Sequence, residues 1–275
     1  MNDILQQTMW RFIDQSISAN KRSPLESFAM DDTLCHLVGQ KMTNSTIRTW
    51  VHHDAVVLGI QDHRLPYIEQ GMDTLKNSGY GPIVRNSGGL AVVLDAGVLN
   101  ISIVLNEDKP LSINNAFEMM VALIRQLFPE VATKIEAYEI VGSYCPGSYD
   151  LSIGGQKFAG ISQRRMKNGI AVQIYLCVEG SGSERAELIK SFYEIGLQGE
   201  KTKFEYPDIK PEVMASLQQL TGKNLTVLEV NERLRNLLRQ KNGQLFELPL
   251  QQEEMELYNY YLDRVFKRNK SMLSK

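Results

Sequence analysis

Residues 142–163 read Gly-Ser-Tyr-Cys-Pro-Gly-Ser-Tyr-Asp-Leu-Ser-Ile-Gly-Gly-Gln-Lys-Phe-Ala-Gly-Ile-Ser-Gln. Proline and glycine directly follow Cys145, so we expect this thiol on a loop, where functional side chains are over-represented. Lys157 is flanked by glycines, which let the backbone approach another group closely. A thiol and an ammonium brought together by a hairpin are the minimum parts of an activated cysteine nucleophile. An incidental loop cysteine and a solvated strand lysine are the competing interpretations.

Turn residues and apolar periodicity predict strands and helices on both sides of this stretch. The capping box Ser23-Pro24-Leu25-Glu26 predicts a helix that runs to about Gly39. A pair of strands is predicted around His53-Asp54, and helices dominate after Gly199. Further strands are predicted at 10–14, 83–85, 90–94, 99–105, 135–141, 157–163 and 170–178, and further helices at 66–75, 112–128 and 184–195.

This order of elements is neither a strict βαβ alternation nor all-β, so the predicted class is α+β, with a mixed β-sheet flanked by helices. We expect a catalytic domain over residues 1–198 and a small helical C-terminal extension over residues 199–275. A strand that leads to residue 141 would carry the chain into the Cys145 loop, which places the candidate nucleophile at the end of a sheet strand.

The composition excludes several classes of protein. The chain has 275 residues, of which 43% are hydrophobic and 23% charged, and its net charge of −2 gives no general attraction to nucleic acid or membranes. The longest apolar candidate, 88–105, is interrupted by Asp95 and Asn100, and no signal peptide is recognised. Three widely spaced cysteines argue against disulfides and a zinc site. We expect a reduced, cytoplasmic protein without a metal.

A second candidate site is the turn Arg85-Asn86-Ser87-Gly88-Gly89 between two predicted strands. Its backbone could form a nest for an anionic or carbonyl group, although an ordinary hairpin turn is the more frequent meaning of such a sequence. It has neither the Walker nor the dinucleotide spacing. The four histidines show no metal-binding signature and are interpreted as surface or satisfied polar groups; Cys35 and Cys177 are interpreted as core residues.

Taken in order, these motifs resemble the lipoate-protein ligase and octanoyltransferase family, which shares a catalytic fold with biotin protein ligase. The family pattern Arg-Arg-x-Ser-Gly-Gly-Gly-Ala-Val, then His-Asp, Gly and Leu-Asn-x-Ser, resembles residues 85–102. Its Gly-x-Lys-Ile-Ala-Gly-x-x-Gln element resembles residues 155–163. The resemblance implies a biotin/lipoate protein ligase-like catalytic domain, with Cys145 and Lys157 as catalytic residues. It also implies a substrate-binding set of Arg85, Ser87, Gly88, Gly89, Asp95, Asn100, Gly160 and Gln163.

Two departures distinguish branches of this family. Asn86, Leu90 and Leu94 stand where the ATP-dependent ligases have an arginine, a glycine and a histidine. The segment Ser-Tyr-Cys-Pro-Gly-x-Tyr-Asp-Leu instead resembles the amidotransferase branch, which moves an octanoyl group from the glycine cleavage H protein to lipoyl domains of 2-oxoacid dehydrogenases through an acyl-cysteine. The resemblance therefore implies transfer without ATP or another cofactor, octanoylated glycine cleavage H protein as donor and lipoyl domains as acceptors. We expect a monomer with no nucleic-acid or membrane partner.

Three alternatives remain open at this level. A sister branch takes octanoate from acyl carrier protein, the ligases use ATP, and a non-catalytic acyl-carrier binding protein can share the same fold. Lys157 could stabilise either the thiolate or the tetrahedral oxyanion, and the sequence does not separate these roles. An octanoyl chain requires an apolar tunnel, for which residues 92–94, 99–103 and 170–176 are candidates, although the same residues equally describe a sheet core.

Overall fold

The computed structural model describes residues 9–17, 22–85, 88–107, 111–242 and 244–273. The strands are β1 (Trp10–Gln15), β2 (Thr46–Trp50), β3 (Ala55–Leu58), β4 (Gly81–Val84), β5 (Val92–Leu94), β6 (Val98–Asn106), β7 (Ile135–Ala137), β8 (Leu151–Ile153), β9 (Gln156–Met166), β10 (Gly169–Cys177) and β11 (Leu245–Glu247). The helices are α1 (Pro24–Gly39), α2 (Ile68–Asn77), α3 (Ile113–Leu127), α4 (Gly182–Leu197), α5 (Leu217–Thr221), α6 (Val227–Asn242) and α7 (Met255–Leu273). Short 3₁₀ turns lie between several of these elements.

A mixed sheet is the frame of the protein. In the part of the chain that the structure describes, eight strands form it in the order β11-β1-β2-β6-β10-β9-β8-β7. β1 runs parallel to both of its neighbours, and the other pairs are antiparallel. Ile174 in the centre of β10 lies opposite Ile101 of β6 and Ile161 of β9. The predicted α+β class with a mixed sheet flanked by helices is confirmed.

The two faces of this sheet have different roles because side chains alternate along each strand. Val172, Ile174 and Leu176 of β10 join the main hydrophobic core together with residues of α3 and α6. The opposite face is covered partly by α1 and partly by a second sheet with the strand order β4-β3-β5. The gap between the two sheets is where the candidate site lies.

The capping box at the start of α1 forms as predicted. The Ser23 side chain accepts a hydrogen bond from a backbone N–H of the first turn, and the Glu26 carboxylate accepts one from the Ser23 N–H. The predicted pair of strands around His53-Asp54 is also present, but the two strands do not pair with each other. β2 belongs to the large sheet and β3 to the small one, so this turn carries the chain from one sheet to the other.

The residues after 198 contribute to the same core and to the same sheet. Leu217, Val230, Leu234 and Leu238 are buried in the main core, and β11 pairs with β1. The sequence did not predict β11, a strand of only three residues whose pairing partner lies at the other end of the chain. The division at residue 198 stays a prediction. None of the described helices has the length and hydropathy that a bilayer-spanning segment needs.

Candidate active site

Cys145 lies on the loop between β7 and β8, near the edge of the large sheet. Its backbone has φ +44°, in the left-handed region that residues other than glycine rarely adopt. Such conformations cost energy and persist where surrounding contacts hold them, which is frequent at functional sites. β7 ends at Ala137 and not at residue 141 as predicted, because the chain turns away to form this loop.

The Cys145 sulfur accepts two hydrogen bonds from N–H donors. Arg85 Nη2 lies 3.4 Å from Sγ, and the backbone N of Leu90 lies 3.3 Å from it. Arg85 is the first residue of the second candidate site, residues 85–89, and Leu90 directly follows this segment. Positive charge and N–H groups at this distance stabilise negative charge on sulfur, which is the state in which a thiol attacks a carbonyl.

Lys157 lies beneath the backbone of the same loop, and its side chain is almost fully buried. Its Nζ donates to the carbonyl oxygens of Tyr144 (2.9 Å) and Cys145 (3.0 Å) and to Ser143 Oγ (3.2 Å). It also forms an ion pair with Asp150 Oδ1 at 3.0 Å. Burial raises the pKa of Asp150, and the neighbouring ammonium opposes that shift. The lysine therefore fixes the loop through its carbonyl groups, while the contacts to the sulfur come from Arg85 and Leu90.

A cavity of about 380 Å³ opens beside the thiol, between the two sheets. The structure brings most of the predicted site residues to its wall, namely Arg85, Gly88, Gly89, Asn100, Cys145, Lys157, Gly160 and Gln163. Its apolar lining comes from Phe28, Trp50, Val57, Val92 and Leu94, with Ile174 and Tyr175 of β10. This volume falls in the range of small-molecule sites and suits an acyl chain of eight carbons.

The tunnel that the sequence suggested is only partly where the candidate strands placed it. Val92 and Leu94 line the cavity, and Ile174 contacts it but belongs to the same core as Ile101, its partner on the neighbouring strand. Leu99, Ile101 and Ile103, however, are buried in the main core on the other face of the large sheet. The alternation of side chains along β6 explains this, because its odd-numbered residues face α3 and its even-numbered Asn100 faces the cavity.

One predicted site residue in the described part of the chain, Asp95, lies away from the cavity. Asp95 forms a two-pronged ion pair with Arg185, at 2.6 and 2.7 Å, and lies outside the cavity wall. Arg185 also donates to the buried Cys177 sulfur at 2.9 Å. Ser87 lies outside the described residues.

Sequence reasoning missed two features of the site. Asp150 stands within the quoted stretch, and its carboxylate accepts hydrogen bonds from the N–H groups of Gly147 and Ile140, which closes the loop around Cys145. Its position before a strand, in a Tyr-Asp-Leu run, was the available signal. Tyr144 and Tyr175 hydrogen-bond through their hydroxyl groups at 2.5 Å behind the loop. No local pattern marks this second contact.

The remaining cysteines and the histidines behave as ordinary structural groups. Cys35 and Cys177 are buried, and burial raises the pKa of both thiols, that of Cys177 to about 11. His52 is buried and hydrogen-bonds to Ser27, and His36 contacts the Tyr261 hydroxyl. Among the described residues, no group of three or more histidine, cysteine, aspartate or glutamate side chains is placed to hold a metal ion.

Comparison with known proteins relates this geometry to one family. Residues 23–239 match the family described as "Lipoyl protein ligase A/B catalytic domain". A relative from Lysinibacillus sphaericus, named octanoyl-GcvH:protein N-octanoyltransferase, is 66% identical over 100% of this chain and 99% of its own length. A relative of the same name from Geobacillus kaustophilus is 51% identical, over 99% of this chain and 96% of its own.

Solved structures show the same fold at low sequence identity. A lipoate-protein ligase A bound with ATP has a TM-score of 0.69 and 17% identity, covering 93% of this chain and 94% of its own. A lipoate protein ligase from T. acidophilum with bound lipoic acid has a TM-score of 0.67 and 17% identity, covering 93% and 95%. The family match spans most of the chain and the relatives share half or more of their residues with it. The chain therefore belongs to the lipoyl protein ligase A/B catalytic domain family.

Proposed function

We propose that this chain transfers an octanoyl group from the lysine of octanoylated glycine cleavage H protein to a lysine of a lipoyl domain, without ATP and through a thioester on Cys145. The observation that carries the proposal is the Cys145 thiol, held by two N–H donors at the wall of an apolar cavity. The names of the relatives support the donor protein and the octanoyl group. The enzyme would act in the cytoplasm as a monomer.

The cavity accounts for recognition of the acyl chain. An octanoyl tail has seven carbons beyond the carbonyl group, and burial contributes about 0.8 kcal/mol per methylene, so the cavity supplies on the order of 5 kcal/mol of binding energy. At Gly160 a Cβ would make ordinary contacts, 3.7 Å from Asp150 Oδ1 and from the Lys157 side chain, so the absence of a side chain leaves the cavity wider at this point. Gly88, Gly89, Asn100 and Gln163 complete the proposed substrate-binding wall. Ser87, which lies outside the described residues, stays in the proposed substrate-binding set.

The reaction exchanges one lysine amide for another, so donor and product have nearly equal energy and the obstacle is kinetic. The Cys145 thiolate attacks the amide carbonyl, and a tetrahedral intermediate forms with negative charge on oxygen. When the C–N bond breaks, the leaving lysine takes up a proton and an octanoyl thioester remains on Sγ. The acceptor lysine, as a neutral amine, attacks this thioester, loses its proton and releases the thiolate. Two easier steps replace one hard step.

The groups around Sγ have distinct proposed roles. Arg85 and the Leu90 N–H stabilise the thiolate before attack and lie close to where the oxyanion develops. Lys157 orients the Tyr144 and Cys145 carbonyl groups and supplies a positive charge beneath the loop. The proposed role of Asp95, which lies outside the cavity wall, is structural and consists of its ion pair with Arg185.

The test offers three donors separately and reads the intact mass of the protein: octanoylated H protein, octanoyl-acyl carrier protein, and octanoate with ATP and magnesium. We expect one added octanoyl group with the first donor, lost again when an apo lipoyl domain is added. Cys145→Ala should show no adduct, whereas Cys177→Ala should still be acylated despite lower stability. Faster acylation by the acyl carrier protein would assign the chain to the sister branch. Incorporation only with ATP, or acylation of Cys145→Ala, would contradict the proposal.

A further inference from the structure

A run of hydrogen bonds begins at Asp62, in the loop after β3, and ends on the Cys145 sulfur. The loop that contains Asp62 packs directly against the segment that contains Leu90. The contact is so close that a Cβ added at Gly59 would lie 1.8 Å from the carbonyl oxygen of Gly89. A displacement of the loop that contains Asp62 therefore also displaces the segment that contains Leu90.

Asp62 is fully buried and has two hydrogen-bond donors. Its Oδ2 accepts from the backbone N of Gly59 at 2.7 Å, and its Oδ1 accepts from the Tyr193 hydroxyl of α4, also at 2.7 Å. Within the described part of the chain it makes no ion pair, and burial raises its pKa to about 6. Burial of a carboxylate without an ion pair is costly, and the hydrogen bonds from Gly59 and Tyr193, with the Arg85 charge, offset part of this cost.

The Asp62 carboxylate decides the direction of the next hydrogen bond. The Tyr193 hydroxyl has one hydrogen, which it gives to Asp62, so its oxygen can accept from the N–H of Ala91 at 3.4 Å. The carbonyl of the same peptide unit, Leu90 O, accepts from Arg85 Nη2 at 2.5 Å. The Leu90–Ala91 peptide is thus held at both of its polar ends.

Arg85 and Leu90 also donate hydrogen bonds to the Cys145 sulfur. Arg85 Nη2 bonds both Leu90 O and Cys145 Sγ, and the Leu90 N–H bonds Sγ as well. The Leu90 N–H belongs to the adjoining Gly89–Leu90 peptide, which shares the Leu90 Cα with the Leu90–Ala91 peptide. If the Leu90–Ala91 peptide shifts, Arg85 Nη2 loses its contact with Leu90 O, and the Leu90 N–H is displaced from the sulfur through the shared Cα. Hydrogen bonds to a charged acceptor are roughly twice as strong as neutral ones and depend on alignment, so small rotations matter here.

We propose that Asp62 and Tyr193 are positioning residues, which fix the Leu90–Ala91 peptide and thereby aim the two N–H donors at the Cys145 sulfur. Neither residue touches the thiol through a hydrogen bond of its own. The proposal rests on the proposed function, in which Cys145 is the nucleophile. It explains a buried acid and a buried tyrosine that lie outside the acyl cavity.

The decisive variant is Tyr193→Phe, because it removes a single oxygen. Cys145 reactivity is measured as the rate of alkylation by iodoacetamide across pH, followed by intact mass. The variant loses the hydrogen bonds of the Tyr193 hydroxyl to Asp62 and from Ala91, which leaves the Leu90–Ala91 peptide less firmly held, so alkylation at pH 7 should slow about tenfold. The pH midpoint of the alkylation rate should rise. With octanoylated H protein, the maximal rate of acylation should fall by a similar factor while KM changes little.

The matched control is Tyr206→Phe. The Tyr206 hydroxyl donates to the carbonyl of Gln61 at 2.7 Å, in the same loop, and its ring packs on Tyr193 at 5.6 Å between centroids. The Tyr206→Phe variant therefore removes a hydrogen bond in the same loop, but none of the hydrogen bonds that lead from Asp62 to the Cys145 sulfur. We expect alkylation and acylation rates within twofold of wild type. Asp62→Asn should also slow alkylation, as Tyr193→Phe does. The amide NH₂ of asparagine can donate to the Tyr193 hydroxyl, which reverses this hydrogen bond and alters how the hydroxyl oxygen accepts from the Ala91 N–H.

The outcomes separate this inference from the proposed function. The charged and titratable groups around the thiol are Arg85, Lys157, Asp150, Asp62 and Tyr193, and Tyr193→Phe leaves the first four in place. An unchanged alkylation profile in Tyr193→Phe overturns the inference, and so does equal impairment in Tyr206→Phe. If alkylation shifts as expected but wild type accepts octanoyl from none of the donors, the positioning role stands and the proposed function fails.

Discussion

At Lys157, the ammonium group lies among four oxygen atoms, those of the Tyr144 and Cys145 carbonyls, Ser143 and Asp150. This environment compensates the cost of burying the charge. It also ties the strained backbone of Cys145 to the rigid strand β9. The sequence predicted that Lys157 acts on the thiol or on the oxyanion. In the structure the lysine orients the loop that presents the sulfur, and this contact is how it would act on either group.

The Lys157→Ala variant should slow acylation of Cys145 by roughly the hundred- to thousand-fold that follows the loss of one such donor. It should also lower the free energy of unfolding by about 3–5 kcal/mol, because the buried Asp150 loses its partner. Single-turnover acylation by octanoylated H protein measures the first effect, and denaturant unfolding measures the second.

A double variant, Lys157→Met with Asp150→Asn, distinguishes stability from catalysis. Removing both charges should recover much of the unfolding free energy, since replacement of a buried ion pair by neutral groups is often tolerated. Acylation should remain slow, because the Tyr144 and Cys145 carbonyls still lack their donor. Acylation at the wild-type rate in either variant would show that Lys157 is dispensable for the reaction.

At the scale of elements, the contact between α1 and β2 is built on buried polar groups. Arg48 of β2 pairs with Asp31 of α1, and His52, just after β2, hydrogen-bonds to Ser27 of α1. Burial, with the nearby Arg48 charge, lowers the pKa of His52 from 6.5 to about 4. The folded protein therefore keeps this histidine neutral at pH values where the unfolded chain protonates it.

This arrangement predicts acid destabilisation with a defined sign. The contribution of His52 is fully present above pH 6.5 and is lost as the pH falls toward 4, because the unfolded chain then binds more protons. The shift corresponds to about 3 kcal/mol of unfolding free energy. Asp62 acts in the opposite direction between 3.8 and about 6, because its folded pKa is raised.

The effect of His52 on the pH dependence of the unfolding free energy is isolated by comparing wild type with His52→Asn, because the effect of Asp62 is the same in both proteins. Denaturant unfolding at pH 7.5, 6, 5 and 4.5 should show a steeper loss of stability in wild type. The unfolding free energy of wild type minus that of His52→Asn should therefore decrease as the pH falls. Parallel curves would mean that His52 does not titrate differently in the folded and unfolded states.

At the scale of the whole molecule, residues after 198 share a hydrophobic core with the large sheet, so we expect them to unfold together with the site. Leu234 of α6 is fully buried in the core that also contains Phe12 and Ile103. Leu234→Ala should lower the unfolding free energy by about 2–5 kcal/mol through a cavity in this shared core. A single unfolding transition should move as a whole when followed by both circular dichroism and Cys145 alkylation.

Leu228 is the matched control, since it lies on the same helix but is 57% exposed. Leu228→Ala should change the unfolding free energy by no more than about 0.5 kcal/mol. Two separate transitions in Leu234→Ala, with Cys145 protected through the first, would show that residues after 198 unfold as an independent unit.

The sequence by itself determined the local features of this protein. Pro146 and Gly147 were enough to place Cys145 on a loop, and the capping box at Ser23 was enough to start α1, because these signals act through neighbouring residues. Element order determined the α+β class. The paired motifs in residues 85–102 and 155–163 indicated the family, and most of the predicted site residues line one cavity.

Only the tertiary structure decided which groups meet across the fold. The sulfur contacts of Arg85 and Leu90, the ion pair of Asp95 with Arg185 and the pairing of β11 with β1 all join distant parts of the chain. A spacing pattern specifies which face of a strand is apolar but not which element covers that face. That choice depends on packing over the whole sheet, which is why Lys157 came to hold the backbone of the loop and Arg85 the thiol.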